Sequence, residues 1–171
     1  MGHNRPMPVV VRPADRADLD TLCRLRIAFL ADHRGVPADD LPPDFTRQTH
    51  DFLVEQHTAG TIHSWLAVDG PDAIGAVSLL VLRMPPRPGD PRTDEGYIIN
   101  MYVHPDHRRR GIGRELFAAC CASAAGLCLR RLLLHATPDG RPLYTAFGFT
   151  PNEAWLELPV PGPGAGDQSH R

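Results

Sequence analysis

The sequence predicts an α/β fold in which helices and strands interleave around one mixed sheet. Three observations predict it. Short apolar, β-rich runs interleave along the chain with segments of helical period. The turn Asp69-Gly70-Pro71-Asp72 separates two strand-like runs in the manner of an antiparallel hairpin. A third strand-like run, residues 97–103, passes through a short turn into the glycine-bearing start of a helix, as a crossover connection would.

Each element has its own warrant. Residues 9–12 form a short β-rich run. Asp15 is placed as an N-cap and Asp18 as a first-turn acid, so a helix is expected over 16–31. Leu19, Leu22, Cys23, Leu25 and Phe29 give that helix an apolar stripe. The polar, proline-bearing stretch 32–43 is a loop, and Phe45, Phe52 and Leu53 anchor a second helix over 44–58. Strands are expected over 64–68 and 73–82, the second apolar on both faces as a covered central strand is. Four prolines make 83–93 an irregular loop. Beyond the strand 97–103, a helix over 111–126 aligns Ile112, Leu116, Cys120 and Ala124, with Gly126 near its end. A strand over 131–136, a short helix over 140–147 closed by Gly148 and a last strand over 153–158 complete one domain spanning 9–158. Residues 1–8 and 159–171, polar and marked by proline or glycine, are expected as a flexible and a disordered tail.

Composition narrows the function. A formal net charge of −2 argues against a general nucleic-acid binder, which needs a broad basic face. Positive charge is concentrated at 108–114 instead, with lesser groups at Arg130, Arg131 and Arg141. All 18 basic side chains are arginine, and the absence of lysine excludes Schiff-base, pyridoxal-phosphate, phosphate-loop and Ser–Lys chemistry. No stretch approaches the ~20 apolar residues of a membrane span, and no signal-peptide pattern opens the chain. The four cysteines form no C-x-x-C pair and read as reduced apolar residues. The nine histidines show no metal-ligand spacing. Together these predict a cytoplasmic protein with no membrane, nucleic-acid or metal partner.

The run from Asn100 to Leu116 is the most informative. A strand enters a turn holding Arg108, Arg109 and Arg110, then Gly111-Ile112-Gly113-Arg114 opens a helix. The first turn of a helix leaves backbone N–H groups unpaired and carries partial positive charge. Glycines at 111 and 113 let an anion approach the backbone, and the arginines add mobile charge. A phosphate or pyrophosphate fits there. A Rossmann dinucleotide site does not, because the third glycine and the acid on a following strand are missing.

This run, its preceding strand Tyr97 to Val103 and the later Leu143-Tyr144-Thr145-Ala146-Phe147-Gly148-Phe149 resemble the GCN5-related N-acetyltransferase (GNAT) superfamily over residues 9–158. The resemblance implies a mostly antiparallel sheet of six to seven strands, with a splay between two central parallel strands ending at Val103 and Ala136. It also implies acetyl-CoA or another acyl-CoA lying across that splay. Met101, Tyr102 and Val103 would hold its pantetheine arm through their main chain, and Arg108, Arg109, Arg110, Gly111, Ile112, Gly113 and Arg114 would hold the pyrophosphate. The implied reaction is direct attack of a primary amine on the thioester, through a tetrahedral intermediate, to give an N-acylated small molecule.

In that reaction Tyr144 stands where the family commonly keeps its general acid. A thiol and a phenol differ by roughly one and a half pKa units, so the transfer is feasible; the alternative is a core tyrosine packed on Phe147 and Phe149. Glu95 is the candidate base, directly or through water, with Asp94 beside it; the alternative is a solvated carboxylate at a strand start. A backbone N–H near Met101, at a bulge, would polarise the carbonyl. Asn100, His135 and Glu153 are candidate contacts for the acceptor; the alternative for Asn100 is a buried amide that bridges strands, and for Glu153 a base. Surplus acid at Asp32, Asp39, Asp40, Asp44, Asp51, Glu55, Asp94 and Glu95 favours a cationic amine. Two other readings stay open: a donor carried on an acyl carrier protein, and a non-catalytic acyl-CoA-binding module. A homodimer also stays open.

Overall fold

Gly70 and Pro71 join β2 (Ile62–Asp69) to β3 (Asp72–Arg83), with Asp69 opposite Asp72 and Gly70 at φ 58°. That left-handed backbone costs glycine little and other residues more. In this computed structural model, which describes residues 8–159, β1 (Val10–Pro13) adds antiparallel to β2. On the other side β4 (Asp94–Val103) pairs antiparallel with β3, and β5 (Leu132–Leu133) pairs parallel with β4. The result is a mixed, mostly antiparallel sheet in the order β1-β2-β3-β4-β5.

Helices flank both faces of this sheet. Ala76 of β3 belongs to the core formed with Leu19, Leu22, Cys23 and Leu25 of α1 (Leu19–Arg34) and Leu53 of α2 (Phe45–Thr58). Its neighbour Gly75 faces the other way, where an added Cβ would lie 3.2 Å from Leu116 of α3 (Ile112–Gly126). Successive residues of a strand alternate faces, so one strand serves both layers. Leu66, Leu79, Leu116 and Phe117 are fully buried, each worth about 1.5–3 kcal/mol of transfer free energy.

Asp15 caps as expected: its side chain accepts from the Ala17 N–H while Asp18 reaches back to the Asp15 N–H. The helix proper starts after the short 3-10 turn Arg16–Asp18 and runs past residue 31 to Arg34. Gly35, at φ 66°, ends it by donating to the carbonyls of Ala31 and Asp32.

The described residues fall into two compact units, dividing between His135 and Ala136. The sheet with α1, α2 and α3 lies in the first; the second holds α4 (Arg141–Ala146). Two expected strands change. The one expected over 131–136 shrinks to Leu132–Leu133, and residues 151–159 contain no strand, so the described sheet has five strands rather than six or seven. An apolar run becomes a strand only where a neighbouring edge pairs its N–H and C=O groups. Residues 153–158 lack that edge, and Trp155, Leu156 and Leu158 are exposed. The expected tails lie, apart from Pro8 and Pro159, outside the described residues. Among those described, no helix is long and apolar enough to cross a membrane.

Candidate functional site

The site begins where β4 kinks. Ala76 stands opposite Tyr102 and Ser78 opposite Ile99, so Val77 faces two residues, Asn100 and Met101. This is a β-bulge, which leaves a residue out of the ladder and bends the strand. Asn100 takes the left-handed conformation, φ 56°, which asparagine tolerates better than most residues. Its buried side chain is held through Oδ1, which accepts from Nη1 of Arg26 on α1. Burial pushes the Arg26 pKa down from its usual value.

Beyond the kink, β4 has an open edge. β5 pairs only with Gly96 and Tyr97, so residues 98–103 have no strand on that side among those described. Tyr102 is buried, while Met101 and Val103 are half-buried. Such an edge offers a row of main-chain donors and acceptors to an extended, amide-bearing ligand.

That edge leads through the 3-10 turn Pro105–His107 into α3. Among the described residues, the backbone N–H groups of residues 109–113 donate to no acceptor. Gly111, the N-cap, sits at φ 83°. A Cβ on Gly113 would lie 3.4 Å from the Met101 methyl and 3.8 Å from Val103, so the glycine keeps the gap between helix and strand open. Ile112 is buried and anchors the first turn. Arg109, Arg110 and Arg114 are exposed, and Arg110 Nη1 lies 3.0 Å from His107 Nδ1.

Arg108 has a different place. Its Nε donates to the Val103 carbonyl at 2.9 Å, its Nη2 donates to Asp32 at 2.6 Å, and its guanidinium lies over the Tyr102 ring at 5.9 Å. It ties α1, the end of β4 and the turn together.

Glu95 is enclosed. It is 1% exposed, its Oε1 accepts from Arg130 Nε at 3.0 Å and from Arg130 Nη2, and its Oε2 accepts from Arg131 Nη2 at 2.9 Å. Burial pushes the carboxyl up, but hydrogen bonds and charge from Arg131 and Arg130 outweigh it and hold the group below the usual carboxylate range. A carboxylate held in this way is a weak base. The same arginines carry the start of β5: the Gly96 N–H donates to the Arg131 carbonyl and the Arg130 N–H to the Asp94 carbonyl.

At the fork between β4 and β5, the Tyr97 hydroxyl and His135 Nδ1 are hydrogen-bonded, with ring centroids 5.8 Å apart and planes at 76°. In the second unit, Tyr144 is buried on α4, its ring 6.4 Å from that of Phe149. Burial pushes its phenol pKa up. Glu153 is exposed, in a turn. Burial also drives the Cys120 thiol up to about 12 and raises Cys23 and Cys121, so these are not ready nucleophiles.

Sequence reasoning missed Arg26, Tyr97 and the pair Arg130–Arg131 as parts of this region, and counted Asp32 only among the acids that favour a cationic acceptor. One signal was available. Arg26 falls in the stripe of Leu19, Leu22, Cys23 and Phe29, and an arginine on a buried helix face needs a partner. Asp32 and the paired arginines carry no comparable mark, because their partners are far away in sequence.

The Acetyltransferase (GNAT) family profile matches residues 26–149. A GCN5-related N-acetyltransferase from Ralstonia eutropha JMP134 is 32% identical, with a TM-score of 0.78 over 91% of this chain and 100% of that one. A predicted acetyltransferase with acetyl-CoA from Clostridium acetobutylicum is 25% identical, with a TM-score of 0.79 over 89% and 96% of the two chains. The aminoglycoside N-acetyltransferase AAC(6')-Iy in complex with CoA is similar in fold, at 19% identity and a TM-score of 0.68 over 92% and 98%. No curated protein matches the sequence.

Proposed function

Because the chain belongs to the Acetyltransferase (GNAT) family, we propose that it is an acyl-CoA-dependent N-acyltransferase that delivers an acetyl or other short acyl group to the primary amine of a small molecule. One observation carries this reading. The open edge of β4, residues 98–103, leads directly to five unpaired backbone N–H groups at residues 109–113. An extended arm ending in a pyrophosphate needs both, in that order.

The residues fit such a donor. Met101, Tyr102 and Val103 offer main chain to the pantetheine amides. The N–H groups of Gly111, Ile112 and Gly113, with Arg109, Arg110 and Arg114, balance the pyrophosphate charge. Arg108 braces the turn from behind. When bound, acyl-CoA supplies a thioester carbonyl open to attack. The backbone N–H near Met101, at the bulge, donates to the oxygen on which negative charge grows, a contribution of order 10²-fold or more. Tyr144 gives its phenolic proton to the departing sulfur; a phenol is protonated at neutral pH, and burial pushes its pKa further up. We assign Glu95 to holding β5 in place rather than to proton removal. Asn100 holds the bulge.

The acidic segments before α2, together with exposed Glu153, favour a cationic acceptor. AAC(6')-Iy bound to a bisubstrate analogue of acetylneamine shares the fold and illustrates such an amine. The four free cysteines suit a reducing, cytoplasmic setting. Calorimetric titration with acetyl-CoA, free CoA and a phosphopantetheinylated carrier protein tests the donor. Saturable binding of acetyl-CoA, followed by amine-dependent thiol release, supports the proposal. Binding of the carrier alone would replace it with a carrier-fed acyltransferase.

A further inference from the structure

We propose that His135 is the base that removes the proton from the acceptor amine, and that the Tyr97 hydroxyl is the positioning group that aims its imidazole. The inference rests on the acyltransferase reading above and deepens it. It starts from a vacancy in the chemistry: an amine arrives at neutral pH as an ammonium ion and must lose a proton before it can attack. Glu95 is poorly suited to take it, being buried with both oxygens bound by Arg130 and Arg131.

Tyr97 lies two residues further along β4 than Glu95, on the same face of the strand. It is the last β4 residue that pairs with β5, opposite Leu133. His135 lies two residues past Leu133, so the pair stands where the two strands part. His135 is exposed, and its Nδ1 is bonded to the Tyr97 hydroxyl, while Nε2 has no partner among the described residues. With the proton on Nδ1 donated to Tyr97 Oη, the Nε2 lone pair is free to accept. Imidazole is also the side chain whose ordinary titration range lies nearest neutral pH. The charged groups beside it are Asp94 and Glu95 of β4 and, just before β5, Arg130 and Arg131, each of which is paired with Glu95.

The protons balance. Of the three on the ammonium, one passes to His135 Nε2 and on to solvent, one stays on the amide nitrogen, and one ends on the sulfur by way of Tyr144. The C–N bond forms first, giving the tetrahedral intermediate, and the C–S bond breaks as that intermediate collapses.

Two measurements on the full-length chain test this. Nitrogen-15 NMR of the neutral imidazole should find the His135 proton on Nδ1, and Tyr97→Phe should shift the proton toward Nε2. A neutral form protonated on Nε2 in the unsubstituted protein overturns the proposal. In steady-state assays with acetyl-CoA and a panel of primary amines headed by neamine, His135→Gln should lower kcat/KM about 100-fold at pH 7. The deficit should shrink toward pH 10, where the amine supplies its own free base, and acetyl-CoA affinity should not change. Tyr97→Phe should give a smaller kcat loss with an unchanged KM for acetyl-CoA. Full activity of His135→Gln at pH 7 refutes the base assignment and leaves the acyltransferase reading standing. Absence of acetyl-CoA binding, or of turnover with the whole panel, overturns both.

Discussion

Arg26 on α1 donates to Oδ1 of Asn100 at the bulge of β4. The first helix thus grips the strand where it turns its edge outward. The contact joins residues 74 positions apart, and it explains how an asparagine is held at φ 56° inside a strand.

Removing the donor should loosen this point without dismantling the sheet. Arg26→Met leaves the buried Asn100 oxygen unpaired, at a cost of about 1–3 kcal/mol, measured by urea unfolding. Asn100→Ala should cost about 1–2 kcal/mol more than Asn100→Gly, since alanine resists the left-handed backbone that glycine accepts.

Glu95→Gln should destabilise the protein by about 3–5 kcal/mol, because it strands two guanidinium groups around a neutral side chain. The pH dependence carries a sign. The folded-state pKa of Glu95 is lowered, so its contribution is complete above the unfolded carboxylate value of about 4.3 and fades as pH falls through the lower folded value. Stability curves from pH 6 to pH 2 should therefore fall more steeply for the unsubstituted protein than for the variant.

The two glycines of the turn should separate stability from binding. Gly111→Ala meets open space but forces φ 83° on a residue with a Cβ, costing about 1–2 kcal/mol of folding free energy. Gly113→Val projects into the gap beside Met101 and Val103. It should abolish acetyl-CoA binding by calorimetry while moving the unfolding midpoint little.

Tyr144→Phe should lower kcat at least ten-fold, within the usual range for acid–base catalysis. Burial raises the pKa of this phenol, so any alkaline loss of activity due to it should fall above pH ~10, as a pH–rate profile would show. Gly140→Ala supplies a second probe. A Cβ there would sit 2.8 Å from Tyr144 Cε2 and 3.1 Å from its hydroxyl, so the ring must move and kcat should fall with it.

Much of the fold is legible in the sequence. The stripe on 19–29, the capping acids Asp15 and Asp18, the Gly70-Pro71 hairpin and the glycines opening α3 are local matters. Hydrophobic period, cap chemistry and turn chemistry operate over a few residues, and the sequence states them directly. The turn from β4 into α3 could be read as an anion site for the same reason: helix N-termini are electropositive wherever they occur.

The strand expected over 153–158 marks the limit of that reasoning. Its residues look like a strand, but strand formation depends on a partner edge, which no local pattern supplies. Glu95 shows the same limit for chemistry. From sequence it is a carboxylate on the right strand and a natural base. The tertiary structure sets Arg130 and Arg131 against it, and a guanidinium pair turns a proton acceptor into a fixed anion. By itself the sequence determined most of the elements, the glycine-bearing turn into α3 and the resemblance to the family. Which titratable groups remain free to do chemistry was decided only by folding, because proton affinity depends on charges and burial brought from distant parts of the chain.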